Sequence, residues 1–251
     1  MFDVRTEDGI AIITMTRGKA NALDIEFCNA LVSGFAALRG SDAKAVVLTG
    51  QGKMFSAGVD LKRLSDGGPD YIRNFLPALH RLYDAVFYFP KPVVAAINGH
   101  AIAGGAVLAA CADRRVMARD GGRIGVTELL VGVPFPALAF EILRHVVPPY
   151  FFSETILSGQ TFAAEVAAHR GWVNEAVEPP LLIERAMEAA QSLAALSPPA
   201  FAQTKMQIRQ PVTERVVQSG KATDKAVTEL WLAPATLGYI RDYVAKTLKK
   251  N

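Results

Sequence analysis

The sequence predicts an α/β fold, and three observations support this prediction. First, three short apolar runs rich in β-branched residues have the composition of buried strands: Ile10–Met15, Ala45–Thr49 and Val93–Ile97. Second, helical stretches with an apolar face lie between these runs, and this alternation favours parallel pairing of the strands. Third, only helical patterns follow residue 195. We therefore expect an α/β core at residues 1–195 and a smaller helical C-terminal region at residues 196–251.

Local signals set the expected bounds of the elements in the core. Asp24 is placed to cap a helix that ends at Gly40. The next helix ends before Pro90, and Pro77 is expected to kink or divide it. Two further strands are predicted at Arg114–Ala118 and Trp172–Val177.

The C-terminal region is predicted to contain three helices separated by prolines. They are Ala200–Ile208, Thr213–Leu230 and Thr236–Leu248, with Pro211 and Pro234 between them. A helical unit of this kind is often an oligomer contact.

Size, charge and cysteine content exclude several classes of protein. The 251 residues are 51% hydrophobic, and 27 basic against 24 acidic side chains give a net charge of +3. So small a positive charge does not favour nucleic-acid binding, and no apolar run is long enough to span a membrane. The N-terminal segment has charged side chains and no apolar leader, and the two cysteines do not suggest a disulfide framework. We therefore expect a cytoplasmic protein.

Motifs of several common sites are missing from the sequence. It has no glycine-rich dinucleotide fingerprint, no phosphate-binding P-loop and no HExxH or paired-cysteine metal motif. We therefore expect neither a bound cofactor nor a metal. A serine hydrolase would need Ser56 and His100, but a turn hydroxyl and a loop histidine are the better interpretations of these residues.

Two glycine-bearing turns follow the predicted strands and indicate a chemical function. The first leads from Gly50 into the segment Phe55–Leu61, and the second leads from Gly99 into Ala103-Gly104-Gly105. Small residues let backbone N–H groups approach a ligand closely. Two such turns could direct two N–H donors at one oxygen, which is the arrangement of an oxyanion hole.

One acid, Glu128, lies within an otherwise apolar segment at residues 124–134. Burial among valines and leucines would raise the pKa of its carboxyl group and suit it to act as a general base. Alternatively, Glu128 begins a helix and its carboxylate caps backbone N–H groups. The two preceding glycine turns favour the role of general base.

Three of these segments together resemble the crotonase, or enoyl-CoA hydratase/isomerase, superfamily. They are Phe55–Leu61, residues 95–99 with Ala103-Gly104-Gly105, and Thr127-Glu128. The likeness extends from the Arg17–Leu23 segment through Trp172-Val173 and continues more weakly into the helical tail. It implies a spiral of ββα units, an acyl-CoA thioester as substrate, and a homotrimer or dimer of trimers that packs through its C-terminal helices.

The resemblance also implies roles for individual residues. The backbone N–H groups of Val59 and Gly104 would form the oxyanion hole, and Glu128 would be the catalytic base. Asp60 would hold the first turn by hydrogen bonds to the backbone. Four residues would bind coenzyme A: Ala57 and Leu61 beside the adenine, and Lys19 and Lys53 at the phosphates.

The sequence departs from the hydratases of this superfamily at one position. Those enzymes use two glutamates, one matching Glu128 and one at position 107, where this chain has Val107. Dienoyl-CoA isomerases place a second acid near position 136, which is Pro136 here. A single glutamate resembles the Δ3-Δ2-enoyl-CoA isomerases, since one base is sufficient to carry a proton from C2 to C4.

We therefore expect an isomerase that shifts the double bond of 3-enoyl-CoA to the 2-trans position. Two alternatives stay open. A hydratase, or another crotonase reaction, would need a second acid, for which Glu141 and Glu154 are candidates at helical positions that we expect to be exposed. A protein that binds acyl-CoA thioesters with little turnover is the other alternative.

Overall fold

The computed structural model describes residues 1–248, and the strands of this part of the chain form two sheets. The strands are β1 (Phe2–Glu7), β2 (Ile10–Met15), β3 (Ala45–Gly50), β4 (Met54–Ser56), β5 (Val93–Ile97), β6 (His100–Ile102), β7 (Arg114–Ala118), β8 (Ile124–Gly125), β9 (Thr161–Phe162) and β10 (Glu175–Val177). The larger sheet has the order β1-β2-β3-β5-β7-β10, and only the β1–β2 pair is antiparallel. The smaller sheet has the order β4-β6-β8-β9.

Helices connect the strands and make up the C-terminal part. They are α1 (Ile25–Arg39), α2 (Leu61–Phe87), α3 (Gly104–Ala110), α4 (Glu128–Val131), α5 (Ala137–Val146), α6 (Pro149–Ser158), α7 (Ala164–His169), α8 (Leu182–Ala194), α9 (Pro198–Arg215), α10 (Lys221–Leu232) and α11 (Pro234–Leu248). A π-helical turn at Val216–Gly220 joins α9 to α10. None of the helices within residues 1–248 is long and apolar enough to cross a membrane.

A ββα unit occurs three times in succession. In each unit one strand joins the larger sheet, the next joins the smaller sheet, and a helix follows: β3-β4-α2, β5-β6-α3 and β7-β8-α4. The predicted α/β fold built from ββα units is therefore confirmed.

The inner strands β2, β3 and β5 of the larger sheet are mainly apolar because both faces of the sheet are covered there. Val47 packs with Ala186 of α8 on one face, whereas its neighbour Leu48 belongs to the main core on the other. Successive side chains of a strand point to opposite faces, so a doubly covered strand needs an unbroken apolar run. This explains why β2, β3 and β5 were predictable from composition.

The predicted caps of α1 are confirmed. The Asp24 side chain accepts a hydrogen bond from the backbone N–H of Phe27 at 2.7 Å, and the helix stops at Gly40. The predicted strand at Trp172–Val177 is too long, since β10 covers only Glu175–Val177.

The predictions for two prolines were wrong. Pro77 lies inside α2, and the break in that helix falls at Gly68, which has φ 60° and ψ −155°. Pro211 likewise lies inside α9 instead of separating two helices. Both prolines are exposed, and so are Arg73 and Gln207, whose carbonyl groups lose their helical partners. Water can satisfy those carbonyl groups, so the helices continue.

The C-terminal helices pack back onto the core of their own chain. The backbone N–H of Ala137, at the start of α5, donates to the Asp224 carboxylate of α10 at 2.8 Å. The indole nitrogen of Trp231 donates to the carbonyl oxygen of Pro134 at 2.9 Å. Residues 249–251 of the predicted C-terminal region lie outside the described residues.

Candidate active site

The two glycine-bearing turns are in direct contact. Gly58 has φ 81°, and a Cβ atom on it would lie 2.5 Å from the carbonyl oxygen of Ile102 and 2.9 Å from the nitrogen of Gly104. A Cβ atom on Gly105 would lie 2.3 Å from the carbonyl oxygen of Ser56. Any side chain would force the turns apart, so the close approach requires glycine at both positions.

Side-chain hydrogen bonds hold the turns at the ends of β3 and β5. The Asn98 Oδ1 accepts from the N–H of Gly50 at 2.9 Å, and its Nδ2 donates to the carbonyl oxygen of Gly52 at 2.8 Å. The buried Ser56 hydroxyl donates to the carbonyl oxygen of Asn21 at 2.8 Å. Ser56 is therefore a structural part of the turn, as the sequence indicates.

The junction leaves two backbone N–H groups unused. The backbone N–H of Leu23 donates to the carbonyl oxygen of Gly58 at 2.8 Å, and the carbonyl oxygen of Leu23 accepts from the N–H of Asp60 at 3.0 Å. The N–H of Val59, which lies between these two residues, takes no part in this pairing. Gly104 is the first residue of α3, where an N–H has no acceptor within the helix. Among the described residues, neither N–H donates to another group of the chain.

The start of α3 is held from two sides. Ala103 has φ 51° and ψ −125°, a strained conformation for alanine, and its N–H donates to the carbonyl oxygen of Gly125 at 2.8 Å. The hydroxyl group of Tyr83 donates to the carbonyl oxygen of Gly104 at 3.0 Å. Burial raises the pKa of Tyr83 well above its ordinary value, so the hydroxyl group stays protonated as a donor.

Both turns line one cavity of about 100 Å³. Val59 and Gly104 line it together with Glu128, and most of the remaining wall is apolar. The C-terminal helices complete the wall with Trp231 and Tyr243. The structure thus brings together the three residues that the resemblance assigns to catalysis, although their roles stay predictions.

The Glu128 carboxyl group is desolvated. Its Oε2 is buried and has no hydrogen-bond partner. Burial raises the pKa of Glu128 to about 7, although backbone hydrogen bonds from Glu128 and Thr127 partly oppose this rise. A carboxyl group with such a pKa can both accept and return a proton near neutral pH.

Within residues 1–248, Glu128 is the only acid that lines this cavity. Val107 and Pro136 also line it, at the two positions where the resemblance implies a second acid in hydratases and dienoyl-CoA isomerases. Glu154 is exposed and bonded to Arg170. Glu141 is not exposed as predicted, since its side chain is only 12% exposed and forms an ion pair with Arg215. Neither of the two candidate second acids reaches the cavity.

The residues predicted to bind coenzyme A divide into two pairs. Ala57 and Leu61 line the cavity, whereas Lys19 and Lys53 are exposed and outside its lining. Asp60 accepts a hydrogen bond from the N–H of Arg63 at 3.0 Å and caps α2, which confirms its predicted role in holding the turn.

Sequence reasoning missed several polar residues of the cavity wall. They are Tyr83, Thr127, Trp231 and Tyr243. Tyr83 lies four residues after Leu79, on the apolar face of α2. A hydroxyl group on an otherwise apolar helix face could have indicated a residue of the site. Trp231 and Tyr243 gave no signal because their contact with the site depends on how the tail folds back.

Two free N–H donors and one desolvated acid in an apolar cavity are typical of enzymes that stabilise an enolate. The comparison with known proteins agrees, because the family model for enoyl-CoA hydratase/isomerase matches residues 5–233. The chain belongs to this family, and the predicted membership of the crotonase superfamily is confirmed. It is thus a crotonase-type acyl-CoA enzyme.

Relatives in this family differ in the reaction named. A Thermus thermophilus protein that carries the name of an enoyl-CoA hydratase is 38% identical over 165 residues, which are 64% of this chain and 64% of its own length. The carnitinyl-CoA dehydratase of Salmonella typhimurium is 35% identical over 211 residues, 83% of this chain and 79% of its own.

Solved structures share the whole architecture. A Mycobacterium tuberculosis protein that one structure names an enoyl-CoA isomerase has a TM-score of 0.82 at 33% identity, and the match covers 90% of this chain and 97% of that one. A second structure of the same protein names it a probable enoyl-CoA hydratase. Human mitochondrial Δ3-Δ2-enoyl-CoA isomerase has a TM-score of 0.95 at 22% identity, and the match covers 100% and 99% of the two chains. The human likeness shows the fold alone.

Proposed function

We propose that this protein is an enoyl-CoA isomerase that converts 3-enoyl-CoA to the 2-trans isomer. The observation that carries the proposal is the single desolvated carboxyl group of Glu128 in a cavity that also contains two unused N–H donors. The M. tuberculosis relative is named an isomerase in one structure and a probable hydratase in another, so the choice between the two reactions rests on the residues of the cavity.

The reaction follows from these groups. The Glu128 carboxylate removes a proton from C2, and the electron pair moves through the carbonyl group onto the thioester oxygen. The N–H groups of Val59 and Gly104 donate to that oxygen and stabilise the dienolate; losing one such donor typically raises the barrier by about 3 kcal/mol. The protonated Glu128 then returns the proton to C4, and the double bond lies between C2 and C3.

Hydration would require different groups. Water must be oriented for attack on C3 while a proton is delivered to C2, and paired carboxylates suit these two tasks. Val107 occupies the position of the second carboxylate and can do neither. The names of the Thermus and Salmonella relatives nevertheless make hydration the second candidate function.

The two candidates are separated by one absorbance measurement. With 3-enoyl-CoA as substrate, an isomerase increases the absorbance of the conjugated thioester. With 2-enoyl-CoA as substrate, a hydratase decreases it. A decrease without any increase would overturn the proposal in favour of hydration, and neither change together with thermal stabilisation by acyl-CoA would favour a binding protein.

The role of Glu128 is tested by Glu128→Gln, with Glu154→Gln as the matched control on an exposed glutamate. We expect the first variant to lose roughly 10²- to 10⁴-fold in kcat because the general base is gone. It should still bind acyl-CoA, as measured by calorimetry, and the control should keep full activity. Full activity in Glu128→Gln would rule out its role as the base.

We also propose that the chain assembles as a homotrimer or a dimer of trimers. Exposed apolar side chains on the C-terminal helices support association: Met206, Ile208, Val217, Leu230 and Tyr239. Sedimentation velocity at micromolar concentration tests this, and a monomer would contradict it.

A further inference from the structure

A second buried group of charged side chains lies at the opposite end of β5 from the glycine turns. Asp113 accepts a hydrogen bond from the N–H of Val93, the first residue of β5, at 2.8 Å. From α9, Lys205 and Arg209 each donate to the Asp113 carboxylate at 2.7 Å. The active-site turns follow the other end of the same strand, so the two places are separate.

Positive charge exceeds negative charge in this cluster. Arg115 is also buried, and it donates to the carbonyl oxygens of Trp172 at 2.8 Å and Ala112 at 2.7 Å, without an acid of its own. Three buried cations therefore share the single carboxylate of Asp113. Carbonyl oxygens accept hydrogen bonds from all three cations, but they carry no full negative charge, so a bound anion would stabilise the cluster further.

The cluster borders a cavity of about 280 Å³. Within the described chain, Asp113 is the only acid in its lining, which also contains Arg115, His145, Thr204, Lys205 and Arg209. The Arg209 side chain is only 4% exposed, and its Nη1 is buried without a hydrogen-bond partner. A buried guanidinium nitrogen left unpaired costs free energy, and oxyanions are the ligands that guanidinium groups bind best.

The surrounding groups show the same imbalance. Burial, together with repulsion from Arg209, lowers the pKa of Lys205 to about 8 and that of Arg115 to about 10 despite the attraction of Asp113. The pKa of His145 is also lowered, first by burial and then by Arg209 and Arg115. Phe87 packs under the Arg209 guanidinium at 4.1 Å and holds it at the cavity.

We propose that this cavity binds a small oxyanion of the phosphate or carboxylate class, with Arg209 as its principal donor. The cationic side chains of Arg209 and Lys205 line the cavity, and so does the exposed Thr204. A monovalent or divalent anion compensates the excess charge. The site also borders α5, whose Ala139 lines the active-site cavity and whose His145 lines this one.

The test measures thermal unfolding of the full chain in sodium phosphate, with sodium chloride at matched ionic strength as reference and sodium acetate as a separate arm. We expect a saturable increase in the midpoint, because an anion that binds only the folded state stabilises it. The phosphate and acetate arms distinguish the two ligand sources. Calorimetric titration of the wild-type protein gives the dissociation constant directly.

Two variants locate the effect. Arg209→Met should weaken anion binding at least tenfold, whereas Arg185→Met, which changes an exposed arginine of α8, should leave it unchanged. Thr204→Glu places a carboxylate in the cavity lining, so it should raise the midpoint in chloride and abolish the response to the anion. Thr204 is exposed, so this variant tests the site even if Arg209→Met does not fold.

Three results would overturn the proposal. One is an equal response to the anion in Arg209→Met and Arg185→Met, which would reflect general salt stabilisation. Another is a Thr204→Glu variant that is less stable and still responds. The third is the absence of binding to the wild-type protein combined with altered sedimentation of Arg209→Met, which would show that a second copy of the chain supplies the counter-charge.

Discussion

Two buried carboxyl groups of this protein lie in opposite electrostatic surroundings. Asp113 receives a backbone N–H, an ammonium group and a guanidinium group at 2.7–2.8 Å. Glu128 lies in an apolar cavity, and its Oε2 receives no hydrogen bond. The first acid has charged partners that fix its position, whereas the second lacks them, and burial raises its pKa to about 7.

The difference shows how one chain uses buried acids for two purposes. A carboxylate with cationic partners fixes neighbouring elements, here the start of β5 and the helix α9. A carboxyl group without a cationic partner remains able to exchange a proton, and the fold bears the cost of its desolvation. Removing the charge should therefore have opposite effects on stability at the two places.

The largest effect on stability is expected at Asp113. Asp113→Asn removes the only carboxylate from three buried cations and should lower the free energy of unfolding by about 3–5 kcal/mol. Urea denaturation at pH 7 measures this loss. The exposed pair of Glu154 and Arg170 provides a control, since Glu154→Gln should change stability by less than about 1 kcal/mol. Equal losses of unfolding free energy in Asp113→Asn and Glu154→Gln would contradict the expectation that the buried ion pairs contribute more to stability than the exposed pair.

The opposite sign is expected at Glu128 and depends on pH. The pKa of this group is higher in the folded state than in the unfolded state, so the folded state binds more protons between about pH 4.5 and pH 7. The contribution of Glu128 to wild-type stability should therefore fall as the pH rises through this window, by up to about 3 kcal/mol. The Glu128→Gln variant should not show this fall in stability, because glutamine does not titrate.

Denaturation curves of wild type and Glu128→Gln at pH 4.5 and pH 8 test this expectation. The two proteins should have similar stability at pH 4.5, and the variant should be more stable at pH 8. Lower stability of the variant at pH 8 would mean that the backbone hydrogen bonds of the carboxylate outweigh its desolvation in the folded protein.

The smallest expected effect is a change in the pH dependence of activity when a second acid is introduced into the cavity of Glu128. For the wild type, kcat/KM should increase with pH around an apparent pKa of about 7. Val107→Glu puts two carboxyl groups in one cavity, and their repulsion should move this profile to higher pH by about one unit or more. The variant should also form some hydrated product. Val107→Gln is the uncharged control, and identical profiles for the two variants would contradict the expectation.

The strands were largely predictable because the larger sheet is covered on both faces. Ile10–Met15, Val93–Ile97 and Arg114–Ala118 have the predicted bounds. The edge strand β1 was missed since most of its residues are exposed, and the smaller sheet was missed because its strands have only two or three residues. Pro77 and Pro211 misled the helix predictions because exposed carbonyl groups tolerate a missing donor.

The candidate site was predictable where local sequence determines it. The glycine turns and Glu128 are short-range patterns, and all of them line the cavity. The side chains that complete the wall come from distant segments, such as Tyr83 in α2 and Trp231 in α10. Their contribution depends on tertiary packing. The ion pair of the partly buried Glu141 was also unpredictable, because its partner Arg215 lies 74 residues later in the chain.

The return of the tail over the cavity has an evolutionary consequence. The helices α10 and α11 contribute Trp231 and Tyr243 to the wall but none of the groups proposed for proton transfer or oxyanion binding. Substitutions in this segment can therefore change the shape of the cavity without altering the two glycine-bearing turns or Glu128. Relatives that differ mainly in these two helices are expected to keep the same reaction and to differ in the substrates that they accept.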